Sequence, residues 1–354
     1  MSALKDGSDC GLGISMAKDA ATAATEAVAA AVHNTRGDAG CVLLFVTANH
    51  GDPRPLVRAA VVAARGATIV GCMGSGIVAG AIEIEAGPGV VALAIGRDRA
   101  LPEPTPFLGA GPATVPAAPG ALAVLLADGY SAHPERLSRE LAAKLPRGLP
   151  IVGGLAVGAG TATPAYRWLG GEVTSTAATG VVIPCAFQPI VGIAQGCRPI
   201  GPFRRVTSSR GNVVAKLDGR PAFESFAATA RPLLDDLKQV AQSIFVAIGD
   251  PEEPGAERFI VRGLLGFDAD RGLIAVSEPL AEGTQLRFAV RDPYAARESL
   301  RTMLCGVKAR LGDRRPRFGL YFNCAGRGRA LFGVDGHDVA FISEALGTFP
   351  LAGA

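Results

Sequence analysis

The sequence is poor in charge, in long apolar runs and in the motifs that mark common enzymes. Charged residues make up only 19% of its 354 residues and the net charge is +3, far from the basic excess of a nucleic-acid-binding protein. Its longest apolar runs fall well short of the ~20 residues a bilayer requires, so no membrane span is expected. No basic segment followed by an apolar one opens the chain, so no signal peptide is expected. The seven cysteines are odd in number and form no CxxC pair, a pattern that fits reduced thiols in a cytoplasmic protein. With four histidines and no ligand spacing among them, no metal is expected.

Nucleotide fingerprints are missing too. Gly74-Ser-Gly-Ile-Val-Ala-Gly80 has one residue too many for GxGxxG, and no GxxxxGK[ST] occurs. Ser75 lies between glycines, but the GxSxG of a hydrolase elbow is absent. No cofactor is expected.

Apolar residues are plentiful, at 49%, and support a sizeable core. They fall in a recurring order. Residues 18–33 are Ala-rich and read as a helix. Cys41–Val46 is an apolar strand, followed by the polar loop 47–52, then Pro53 opening a helix over 54–65, then a short strand 67–70 running into a glycine loop, 71–76. Strands follow near 77–84 and 89–95. After an aperiodic Pro- and Gly-rich stretch, 101–120, the order returns. Strand 121–127, loop 128–133, helix 134–144 and strand 149–152 lead into Gly153-Gly154, with strands near 166–173 and 178–183. So 41–96 and 121–183 form an internal repeat, with His50 and His133 in equivalent loops. The end of the chain offers a third, least similar copy, strand 317–322, loop 323–336, helix 337–346 and strand 349–353, with a chance match of the same order as the alternative.

The middle differs. Val206–Leu217 reads as a hairpin turning at Arg210-Gly-Asn212, and 221–238 as one or two helices broken near Pro232. Strands are expected at 243–249, 258–265, 272–276 and 285–290, with a hairpin turn at 268–272. Asp292 caps a long helix that Pro293 opens and that runs to about Leu311. The expected fold is therefore α/β, α+β in part: strand–loop–helix–strand units forming mixed sheets in two domains, 1–200 and 201–354.

The candidate site centres on Arg317-Phe-Gly-Leu-Tyr-Phe-Asn-Cys-Ala-Gly-Arg-Gly-Arg329, where an apolar strand gives way to a glycine loop flanked by arginines. Ligands of α/β proteins gather at the carboxyl ends of strands, where backbone N–H groups can face a small anion. Gly71, Cys72, Ser75 and Gly76 in one loop, and Asn323, Cys324, Gly326, Arg327 and Gly328 in another, are the candidate ligand contacts. These glycines could equally serve tight turns and close packing. Arg198, held between Gly196 and Pro199, is a candidate carboxylate partner or a brace for its own loop. Cys324, near Arg327 and Arg329, is a candidate nucleophile if His50, His133 or His337 comes within reach, and a small buried residue otherwise.

Five segments together resemble the FIST family: Gly196-Cys-Arg-Pro-Ile-Gly201, Val206-Thr207, Gly211-Asn-Val213, Leu217-Asp-Gly-Arg-Pro221 and Phe322-Asn-Cys-Ala-Gly-Arg-Gly328. The Gly71-Cys72 and Gly153-Gly154 pairs and the ending Pro350-Leu-Ala-Gly353 match as well. The resemblance runs from about residue 15 to the end and covers both the N-terminal and C-terminal FIST domains. It implies a sensory or signal-transduction protein that binds a small ligand such as an amino acid; with the glycine loops and arginines, the expected function is non-enzymatic binding of an amino-acid-like, anionic or zwitterionic metabolite in a cleft between the halves. It also implies a signalling protein as partner, and it brings no catalytic mechanism. An enzyme using Cys324, or an interaction scaffold, are the alternatives.

Overall fold

The computed structural model describes residues 9–129, 134–160, 163–186, 188–231, 243–249 and 259–354. They divide into two compact units, residues 1–192 with 304–354, and residues 193–303.

The first unit begins with β1 (Cys10–Ser15), α1 (Ala20–His33), β2 (Ala39–Thr47), a 3-10 turn (Ala48–His50), α2 (Arg54–Ala63) and β3 (Thr68–Gly74). The short strands β4 (Ile77–Ala79) and β5 (Ile82–Ile84) precede β6 (Val90–Gly96). Next come β7 (Thr105–Leu108), β8 (Gly120–Asp128), α3 (Pro134–Lys144), β9 (Ile151–Ala156), β10 (Arg167–Leu169), β11 (Glu172–Thr174) and β12 (Thr179–Cys185).

The second unit holds β13 (Cys197–Arg210), β14 (Val213–Leu217), β15 (Arg220–Pro221), α4 (Ala222–Ala230), β16 (Ile244–Gly249), β17 (Phe259–Asp268), β18 (Leu273–Val276) and β19 (Gln285–Arg291), and it contains the start of α5 (Pro293–Leu311). The chain then completes the first unit with β20 (Gly319–Tyr321), α6 (Gly328–Phe332), α7 (His337–Leu346) and β21 (Leu351–Gly353).

All nine residues of β2 are buried, because both faces of its sheet are covered. Val42, Leu44 and Val46 point to one side, where α1 and α2 supply Ala23, Ala27, Leu56 and Val57. Leu43 and Phe45 point to the other, against Val124 and Leu126 of β8 and Val181 of β12. The period of two along one strand thus fills two separate cores. The sheets run β1-β6-β2-β3-β10-β11, β7-β12-β8-β9 and β20-β21-β4-β5.

The same strand–helix–strand order occurs three times. In each copy a strand, a helix and a second strand form a parallel pair: β2 with β3, β8 with β9, and β20 with β21. One glycine sits at the same place in each second strand: Gly71 opposite Leu44, Gly153 opposite Leu125 and Gly353 opposite Tyr321. A methyl group there would lie 1.8 Å from the carbonyl oxygen of the facing residue in all three. These glycines let adjacent strands approach closely.

That packing role corrects the expected loop 71–76. Gly71, Cys72 and Gly74 lie in β3, and the turn is confined to Ser75 and Gly76. Likewise Gly153 and Gly154 lie within β9. The stretch 101–120 contains β7, which pairs antiparallel with β12, so its Pro-rich sequence hides an edge strand. His133 and residues 232–242 lie outside the described residues; α4 accounts for the start of the helix expected at 221–238.

In the second unit the seven-stranded sheet runs β13-β19-β16-β17-β18-β14-β15 over a core of Phe226, Phe288, Val246 and Ile274. The hairpin at 210–213 and the turn before Leu273 are where expected. Asp292 caps α5, its Oδ1 accepting from the backbone N–H of Tyr294 at 2.9 Å and of Ala295 at 3.0 Å.

Candidate functional site

The Arg317–Arg329 stretch gives only a short strand, because Gly319–Tyr321 alone pair with β21. Beyond it Phe322 turns into the core and meets Phe45 edge-on, with ring centres 5.7 Å apart. The backbone N–H of Asn323 then donates to the Ala354 carbonyl at 3.0 Å. A turn follows, closed by Arg327 N–H to the Cys324 carbonyl at 2.8 Å, and Gly328 opens α6. The expected loop 323–336 is therefore interrupted by a helical turn and a half.

Ala354 brings two of the predicted segments together. Its carbonyl holds Asn323, and its methyl lies 2.9 Å from where Gly74 would carry a side chain. The Ser75–Gly76 turn and the 323–326 turn thus share one end of the first unit. Ser75 and Cys324 are exposed there.

Arg327 is turned inward. Its guanidinium is 6% exposed and faces Asp338, 2% exposed, at the start of α7. Nε donates to Asp338 Oδ2, and Nη2 donates to Oδ1 at 3.3 Å. The Tyr321 hydroxyl donates to Asp338 Oδ2 at 2.6 Å, and His337 Nδ1 lies 2.9 Å from Oδ1. The His337 ring stacks on Phe332 at 3.6 Å and on Phe341 at 4.7 Å. Burial pushes the Asp338 carboxyl up, but the bonds from Arg327 and Tyr321 outweigh it and hold the group below the usual carboxylate range. Burial, with Asp338 beside it, pushes the Tyr321 phenol well above its ordinary value. The expectation of an arginine presented to ligand meets an arginine already engaged by its own carboxylate.

The β4–β5 hairpin closes this cluster. Glu85 accepts the backbone N–H of Arg329 at 2.9 Å from both oxygens, and Glu83 accepts that of Val339 at 3.3 Å. A methyl group on Gly328 would lie 2.3 Å from the Glu85 carboxyl, so a larger residue there would push that side chain aside. Burial, then the nearby Asp338 charge, push Glu83 up to about 7. A carboxyl with a raised folded-state pKa binds its proton more tightly folded than unfolded. Its contribution to stability therefore declines as pH rises from the usual carboxylate range to about 7 and is level above that. Glu83→Gln keeps an acceptor for Val339 without the charge. It is expected to melt above wild type at pH 8 and nearly with it at pH 5, in paired thermal scans. An equal difference at both pH values would mean that Glu83 ionises freely.

Cys72 lies deep in β3 opposite Arg167, and burial pushes its thiol up to about 12, away from nucleophilic use. Arg167 is buried as well, donating from Nε to the Ala177 carbonyl at 2.9 Å and from Nη1 to that of Ala165 at 2.8 Å. Arg198 belongs to the second unit, where it is paired with a carboxylate of the same unit, Nε donating at 2.8 Å to Oδ2 of Asp292 at the start of α5. His337 directs Nδ1 to Asp338 rather than to Cys324, and His50 sits in the 3-10 turn with both ring nitrogens buried and without a hydrogen-bond partner among the described residues. No three His, Cys, Asp or Glu gather as a metal cage among the described residues. Sequence reasoning missed Asp338, Tyr321, Glu83 and Glu85. The available signal was an acidic residue in the first turn of α7, where a carboxylate is favoured.

A family model described as the FIST N domain matches residues 40–220, and one described as the FIST C domain matches 223–354. An uncharacterized protein of Mycobacterium tuberculosis is 33% identical over 355 residues, covering 97% of this chain and 92% of its own. An uncharacterized protein of Mycobacterium bovis is 32% identical, with 97% and 91% covered. No helix among the described residues is long and apolar enough to cross a membrane.

Proposed function

Because this chain belongs to the FIST family, a family of sensory signal-transduction domains, we propose that it senses a small amino-acid-like metabolite in the cytoplasm and binds it without chemistry. The observation that carries this reading is the meeting of the Ser75–Gly76 turn and the 323–326 turn at Ala354. Ser75, Gly76, Asn323, Cys324 and Gly326 are the proposed contacts. Gly71, Cys72, Arg327 and Gly328 lie behind them and set their positions.

The reading is tested by a thermal-shift screen of amino acids and related acids against wild type and Ser75→Trp. Ser75 is exposed, so the bulky variant is expected to fold and to obstruct the site. One class of compound should raise the melting temperature of wild type; at a hundred times Kd the gain is about 2.7 kcal/mol. The variant should respond weakly or not at all. A silent screen, or an undiminished response in Ser75→Trp, would remove the site from this surface.

A further inference from the structure

The three repeats do not end alike. The first two carry a hairpin of three-residue strands after their second strand, β4–β5 and β10–β11, each with a two-residue turn. The turn glycines, Gly80 and Gly170, have φ of 59° and 58°. Each hairpin adds to the sheet of a different repeat. β10 runs antiparallel along β3 with Trp168 opposite Gly71, and β4 runs antiparallel along β21 with Val78 opposite Gly353. The turn glycine makes the same bond in both: Gly170 N–H donates to the Ile69 carbonyl at 2.7 Å, and Gly80 N–H to the Leu351 carbonyl at 2.7 Å. Ile69 and Leu351 each stand two residues before the packing glycine.

The equivalent strand of the second repeat is β9, and it is a sheet edge among the described residues. Ala123 N–H donates to the Pro150 carbonyl and Gly129 N–H to that of Ala156, both at 3.0 Å, so the even-numbered residues of β9 face β8. The backbone groups of Ile151, Gly153 and Leu155 therefore point to the open side. No charge or proline interrupts Ile151-Val-Gly-Gly-Leu-Ala156, the usual protection of an exposed edge. Leu155 is 46% exposed, whereas β21 is buried throughout and β3 is buried beyond its first residue.

We propose that the open edge of β9 is a docking site for a third hairpin of the same kind, supplied by a partner polypeptide. Its chemistry is set by the two filled edges: two three-residue strands of mainly apolar residues joined by glycine and a small residue. It runs antiparallel to β9, its turn glycine donates to the Ile151 carbonyl, and the second residue before that glycine lies opposite Gly153. This is recognition by strand addition, with main-chain bonds giving affinity and alternate side chains giving choice.

The test uses the full chain and a fluorescent peptide copy of its own residues 165–176, with a scrambled peptide as control, read by anisotropy. The hairpin peptide should bind saturably and protect the Gly153 and Leu155 amides from exchange; the scrambled peptide should not. Leu155→Pro removes one outward N–H and no bond to β8, so it should keep the wild-type melting temperature while weakening the peptide about tenfold or more. Should that variant not fold, Leu155→Lys places a charge on the same edge and should weaken binding likewise. Equal binding of the scrambled peptide, or unchanged affinity in the edge variants, overturns the proposal. A dimer that forms in wild type and dissolves in Leu155→Lys, seen by light scattering, would give the edge to a second copy and overturn the proposed occupant.

Discussion

Asp338→Ala is expected to destabilise the first compact unit by about 3–5 kcal/mol, read as a fall in the urea midpoint. Asp338 is the acceptor for Arg327 and Tyr321 and the partner of His337, and both members of the ion pair are almost fully buried. Removing the carboxylate leaves a guanidinium that cannot lose its proton in a space with little water. Asp338→Asn should fall between alanine and wild type, because the amide keeps an oxygen acceptor but not the charge. The double variant Arg327→Met with Asp338→Leu should regain much of the loss, since apolar residues of similar size often replace a buried pair without penalty. The acid limb carries a second signature. A carboxyl held low in the folded state adds stability that is present above its unfolded pKa and is lost as pH falls through the folded value. The gap between wild type and Asp338→Asn should therefore narrow toward acid pH. A loss under about 1 kcal/mol for Asp338→Ala would mean a solvated pair, as surface bridges are.

The same cluster marks the boundary of what the sequence made legible. The repeat could be read because its signals are local: an apolar run such as Cys41–Val46, a proline at a helix start, and a glycine at a fixed distance beyond. Asp292 before Pro293 likewise declared the start of α5 without tertiary information. The meaning of the glycines could not be read the same way. Gly71 and Gly153 resemble loop residues, yet each sits in a strand because a carbonyl of the neighbouring strand occupies the place of its side chain. That neighbour lies 27 residues away for Gly71, too far for any local pattern to reveal it (71 minus 44). The site behaved similarly. The turn at 323–326 was visible as small polar residues after an aromatic strand. The direction of Arg327 depended on Asp338, and the carboxylates of Glu83 and Glu85 arrived from a hairpin more than 240 positions earlier. Charge in sequence suggested an arginine facing a ligand; charge in space is balanced inside the protein.

The three packing glycines also supply a graded experiment. Gly71→Ala is expected to cost about 4 kcal/mol or more, or to leave no soluble protein. Its new methyl would lie 1.8 Å from the Leu44 oxygen and 2.5 Å from Trp168 Nε1, and β3 cannot move aside because β2 holds one edge and β10 the other. Gly353→Ala meets the Tyr321 oxygen at the same 1.8 Å, with β21 held between β20 and β4. It should be nearly as damaging, softened only by the shortness of β20 and β21. Gly153→Ala creates the same clash with Leu125, but β9 is paired with a described strand on one side alone, its tie to β3 being the bond from Val157 N–H to the Met73 carbonyl just past its end, and it can shift outward. Its cost should be the smallest of the three. Chemical denaturation of the three variants reads this order directly. If Gly153→Ala proves as costly as Gly71→Ala, β9 is clamped on both sides in the free protein and its edge has no room for a partner hairpin. If the order holds, the first and third repeats are locked by hairpins from elsewhere in the chain, and the second retains the freedom that a docking edge needs.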